Sequence, residues 1–88
     1  MIIEIRKPSE EEIKMAESWP IWTKEVSEFD WNYDEKETCL ILKGKAEVTS
    51  KDGEMVSFSA GDFVIFPVGL ECTWKIIEPI EKKYKFGE

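Results

Sequence analysis

Few side chains in this chain are equipped for chemistry. There is no histidine, which removes the commonest metal ligand and general base together with every Ser-His or Cys-His pair. Most hydrolase templates end there. What remains is one glutamate in an otherwise apolar stretch, Glu37, two cysteines, Cys39 and Cys72, and a run of aromatic residues. That run comprises Trp19, Trp22, Phe29, Trp31 and Tyr33, with Trp74 arriving later. So dense a cluster is expected either in a core or interface, where each ring buries a large area, or as the aromatic wall of a ligand pocket. The thiols are expected to be buried apolar fillers. A disulfide is disfavoured in a reducing compartment, though it stays open for a hyperthermophile. A reactive thiol would lack the histidine that lowers its pKa.

The elements that position these residues are mainly strands. The organising stretch is Gly61-Asp62-Phe63-Val64-Ile65-Phe66-Pro67-Val68-Gly69, a buried strand delivered into a rigid Pro/Gly turn. Residues 35–43 read as a strand in which Glu37, Cys39 and Ile41 share one face and Thr38, Leu40 and Leu42 the other. Gly44 is expected to end it. Residues 45–50 return, Lys51-Asp52-Gly53 signals a hairpin, and residues 54–58 pair back. Residues 72–77 form a strand with Cys72, Trp74 and Ile76 on one face, and Pro79 is expected to stop it. Residues 82–86 supply a last strand, with Tyr84 and Phe86 on one side and lysines on the other. At the front, residues 1–7 read as an edge strand. Ser9 and Glu12 form a capping box for a short helix to about Ser18, with Ile13, Ala16 and Met15 as its apolar stripe. Seven to nine short strands and one helix point to a β-sandwich or barrel.

Composition narrows the partners. At 88 residues the chain is one domain near the small end of what folds alone. A net charge of -7 argues against nucleic acid and anionic membrane surfaces. No segment is apolar for long enough to span a membrane, and the start lacks the architecture of a signal peptide, so a cytoplasmic location is expected. Charged residues make up 35%, drawn almost wholly from Glu and Lys, with no Gln and a single Asn, Asn32. That balance is typical of thermophile proteins.

Glu37 followed by Gly44, and Gly61 followed by Pro67 and Gly69, resemble the two sequence boxes of the cupin superfamily. In the first box Trp31 and Tyr33 stand where two histidines are usual; in the second, Cys72 and Ile76 replace a histidine and an asparagine. Trp22, Phe29-Asp30-Trp31, Glu37-Thr38-Cys39, Phe66-Pro67-Val68-Gly69, Cys72-Thr73-Trp74 and Lys83-Tyr84 look like the small single-domain cupins related to (S)-ureidoglycine aminohydrolase. The likeness runs from Trp19 to Phe86. It implies an all-β fold, a double-stranded β-helix or jelly-roll cupin barrel with one short N-terminal helix, and a single cupin domain over residues 1–88. The aminohydrolase branch uses a manganese ion to release ammonia from a ureido substrate, a chemistry that rests on the histidines absent here. Three of the four expected metal ligands are replaced, so no metal or other cofactor is expected.

Two functions of different classes follow. One is a metal-free pocket in the barrel, lined by Trp31, Tyr33, Glu37, Cys39, Cys72 and Trp74, for a small polar, cationic or amide-bearing ligand, serving binding or an unassigned enzyme activity. The other is a filled barrel acting as a structural or interaction module, with the Tyr33 hydroxyl and Trp74 indole satisfying Glu37. An inward carboxylate without a use or a partner is costly, which favours the pocket. Leu40, Leu42, Val64 and Phe66 on a second apolar face lead to the expectation of a homodimer. Elemental analysis of protein purified without chelator is expected to find well below one equivalent of manganese, iron, nickel or zinc. A stoichiometric metal lost on Glu37→Gln or Cys72→Ser would overturn that.

Overall fold

Two long strands, β4 (Glu37–Ser50) and β7 (Glu71–Phe86), run antiparallel over nearly their whole length. The structure, a computed structural model, describes residues 1–87. The remaining elements are β1 (Glu4–Arg6), α1 (Glu10–Ala16), β2 (Ile21–Lys24), β3 (Ser27–Asn32), β5 (Met55–Ser59) and β6 (Phe63–Phe66). Near the midpoint of β4 the register with β7 slips between Ile41 and Ala46, and the long sheet bends there. On one side of the bend the order is β1-β6-β4-β7-β2. On the other, β5 pairs with β4 and β3 with β7. The two leaves face each other across a shared core in which Cys39 and Ile41 of one meet Val48, Phe58 and Trp74 of the other. This is the double-sheet jelly roll of a cupin, with the sheet left open instead of closing into a barrel.

Gly44 and Pro79, which the sequence marks as strand ends, instead lie inside β4 and β7. A proline cannot donate to a ladder, but it is tolerated at a bulge, and the bulge here supplies that setting. Gly44 has φ +93°, and a Cβ built on it would lie 2.1 Å from the Pro79 carbonyl oxygen. Glycine is required on both counts, backbone angle and space.

Strand parity holds for Glu37, Cys39 and Ile41, which all point inward. In β6 it is reversed from expectation: Val64 and Phe66 face the core, while Phe63 and Ile65 face outward. The outer apolar face is therefore Leu40, Leu42, Phe63 and Ile65, and it is packed by Ala16 and Trp19. The face expected to carry a homodimer included Val64 and Phe66, which instead point into the core. The helix begins as the sequence predicts: the Ser9 hydroxyl accepts from the Glu12 N–H at 3.2 Å, and the Glu12 carboxylate accepts from the Ser9 N–H at 2.8 Å. Arg6 of β1 grips the same carboxylate at 2.6 and 2.5 Å, and this hydrogen bonding holds the Glu12 carboxyl down to about 2. Of the expected stripe only Ala16 is buried; Ile13 and Met15 are exposed, because so short a helix meets the sheet only at its last turn.

Gly44→Ala is expected to destabilise the fold by about 3 kcal/mol or more, adding a left-handed backbone penalty to a steric clash with β7. Gly53→Ala, with φ +97° but nothing within 4 Å of the added carbon, should lose only the backbone part, about 1–2 kcal/mol. Chemical denaturation of the two variants checks the difference.

Candidate functional site

Glu37 opens β4 with its side chain turned into the fold, 2% exposed. A buried carboxylate needs donors, and it has two. The Tyr33 hydroxyl donates to Oε1 at 2.8 Å, and the Lys82 ammonium donates to Oε2 at 2.7 Å. Tyr33 is delivered by the segment after β3, where its N–H and C=O bond to Leu70 and Gly69. Its ring lies parallel to Phe66 with centroids 5.0 Å apart. Burial, followed by the neighbouring Glu37 charge, pushes the Tyr33 phenol well above its ordinary range, so it stays a donor.

Lys82 is the residue the sequence reading missed. It was expected to face outward with the other lysines, but it points inward and is buried. It shares its parity with Ile80, Tyr84 and Phe86, so the strand pattern itself contained the signal; the adjacent, outward Lys83 hid it. Its stem runs along β7 toward the start of β4. The ammonium ends 4.7 Å from the ring of Trp22, its cross-strand partner on β2, and 4.6 Å from that of Trp74 on the opposite leaf. Two aromatic faces and a carboxylate together replace the hydration of the buried cation. The Trp74 indole, expected as a partner of Glu37, therefore serves Lys82 with its face instead.

Above this pair lies a cleft of about 200 Å³. Glu37, Lys82, Tyr33 and Trp74, all nearly inaccessible, form its floor. Trp22, Phe29 and Tyr84 wall it, and the half-exposed Trp31 and Phe86 stand at its mouth. Phe29 lies nearly parallel to Trp74, at 8° with centroids 6.1 Å apart, which fixes one wall. Of the six residues proposed from sequence, Trp31, Tyr33, Glu37 and Trp74 line the cleft. Cys39 and Cys72 do not. Their parity is inward, but the Cys39 thiol donates to the Val64 carbonyl and the Cys72 thiol to that of Trp31, each at 3.5 Å, within the packed core. Both are free thiols. Burial pushes Cys72 up to about 11 and Cys39 higher still.

The donor set does not fit the metal ion that cupins commonly carry. Each oxygen of Glu37 already accepts a hydrogen bond, one of them from a tethered cation that would repel a metal ion. The nearby thiols are held in their neutral form, whereas a metal takes thiolates. Among the described residues no three Asp, Glu or Cys side chains gather closely enough to hold an ion.

The family model of the EutQ-like cupin domain matches residues 12–84. The chain belongs to this family. It is 53% identical to a DUF861-family protein from Thermotoga maritima, covering 97% of this chain and 99% of that one with a TM-score of 0.92. Two EutQ structures share the fold at 21% identity. One is a putative ethanolamine utilization protein from Salmonella typhimurium, TM-score 0.69, covering 76% of this chain and 54% of that one. The other is from Clostridium difficile, TM-score 0.70, covering 76% and 52%. The cupin domain thus spans about half the length of those two proteins. No curated protein matches it. Among the described residues no helix is long and apolar enough to cross a membrane.

Glu37→Gln and Lys82→Met are each expected to destabilise this cupin domain by about 3–5 kcal/mol, since each leaves its partner buried and unpaired. The double variant should lose less than the sum, by a coupling of about 1–3 kcal/mol. Denaturation of the four proteins tests this, and additive losses would mean the two groups are not paired.

Proposed function

We propose that this EutQ-like cupin domain binds a small molecule in the aromatic cleft above Glu37 and Lys82. The observation that carries the reading is the open volume of about 200 Å³ reaching a buried ion pair. A module with a filled interior would have no such volume. Binding sites are typically concave and mostly apolar, with a few convergent polar groups, and this cleft has that composition. Its size limits the occupant: a cavity of about 150 Å³ accepts a benzene ring, so the ligand is one ring or its equivalent with a small head. A cationic or amide-bearing ligand was expected from the sequence, where no cation was assigned to Glu37. With Lys82 on the carboxylate, the attraction for a cation is cancelled.

Titration with benzene, followed by the indole N–H signals of Trp22 and Trp74 in an NMR spectrum, is expected to show saturable shifts at those residues. Trp31→Ala, at the half-exposed rim, should weaken binding about tenfold, equivalent to ~1.4 kcal/mol, while leaving the fold intact. Shifts that fail to saturate, or that spread evenly over the surface, would refute the pocket.

A further inference from the structure

We infer that the ligand of the aromatic cleft carries a neutral dipolar head group of the carboxamide class, bound by Lys82 and Glu37 together, on a flat apolar body. The inference rests on the binding reading above and names the chemistry it selects.

The floor of the cleft is charge-compensated. Lys82 and Glu37 are 2.7 Å apart and both buried. The other titratable groups lining the cleft are the phenols of Tyr33 and Tyr84, and that of Tyr33 is held neutral by burial and by Glu37. A cationic head drawn to Glu37 would meet the Lys82 ammonium at almost the same distance. An anionic head drawn to Lys82 would meet the carboxylate. Either ion would give up its hydration for no net electrostatic gain, and burying an uncompensated charge is costly.

The same pair nevertheless has unused hydrogen-bonding capacity. An ammonium has three N–H donors; one goes to the Glu37 carboxylate, and the ammonium's other neighbours, the Trp22 and Trp74 rings, offer it no conventional acceptor. A carboxylate has about four acceptor sites, and each Glu37 oxygen receives one protein donor. A free donor and a free acceptor therefore lie side by side at the end of an apolar cleft. The complement is a neutral group with an acceptor and a donor side by side: the carbonyl of a carboxamide accepts from Lys82 while its N–H donates to Glu37. The Tyr33 O–H is already donated to Glu37, so it does not compete with Lys82 as a donor to the head. The aromatic walls favour a flat body, since ring faces and edges recognise another ring beyond simple area burial.

A matched set of one-ring probes tests this on the unmodified protein at neutral pH, using dissociation constants from the same NMR titration: benzamide, benzoate, benzylammonium and benzene. Benzamide is expected to bind at least about tenfold more tightly than each of the other three, the value of roughly one or two added hydrogen bonds. Benzoate or benzylammonium matching benzamide would overturn the head-group assignment, as would benzene doing so, and in each case the cleft would still bind. Failure of all four to bind would remove the binding reading itself. Two variants add a second readout, with circular dichroism confirming that they fold. Lys82→Met should reverse the preference toward benzylammonium, and Glu37→Gln toward benzoate. Folded variants that keep the unmodified ranking would overturn the inference.

Discussion

The pairing of β4 with β7 is the constraint on which the rest of the molecule depends. These two strands belong to both leaves of the jelly roll, and every other strand is attached directly or indirectly to one of them. Their pairing has to pass a proline. It does so because Gly44 faces Pro79, with the backbone angle and the missing side chain that let the two chains approach. The resulting bend brings Trp74, far along β7 from Lys82, back over the Lys82 ammonium. One strand thus supplies both the cation and part of its cage.

The buried ion pair is the second organising feature, and its energetics are not those of a surface bridge. Two charges removed from water carry a desolvation cost that their mutual attraction offsets only with good geometry and further partners. Here the carboxylate has a phenol and an ammonium, and the ammonium has two indole faces. By its sequence resemblance Glu37 stands at the glutamate of the first cupin box, and its counter-cation is an amino-acid side chain of the same chain. A covalently attached cation cannot be exchanged or chelated. It also donates hydrogen bonds, where a metal would accept lone pairs.

Much of this was legible in the sequence because it is local or periodic. The Ser9/Glu12 capping box, the Asp-Gly hairpin and the inward parity of Glu37, Cys39 and Ile41 depend on neighbours a few residues away, and the cupin boxes gave the topology. What was not legible depended on pairings distant in the chain. Pro79 reads as a stop until Gly44 is placed opposite it. Val64 and Phe66 were assigned the wrong face because β6 is apolar on both sides and alternation carries no information there. Lys82 was overlooked because lysine is almost never buried, although an inward Glu37 without a cation was itself a sign that one was missing. The cysteines were given a place in the cleft by parity and by the box alignment, and each of these gives a face without giving a depth.

The open sheet has a kinetic consequence. Trp22 sits on β2, and Phe29 and Trp31 sit on β3, strands hydrogen-bonded to β7 along one side only. Such edges open locally at a lower free-energy cost than the doubly paired β4 and β7. The cleft therefore has one rigid side, anchored by Glu37 and Lys82, and one side that can breathe. Amide exchange in β2 and β3 should outpace that in the central strands, and the entry and exit of a guest would follow the rate of that fraying. For the proposed guest, residence time and equilibrium affinity would be governed by different parts of the same wall: the first by the edge ladder, the second by the floor.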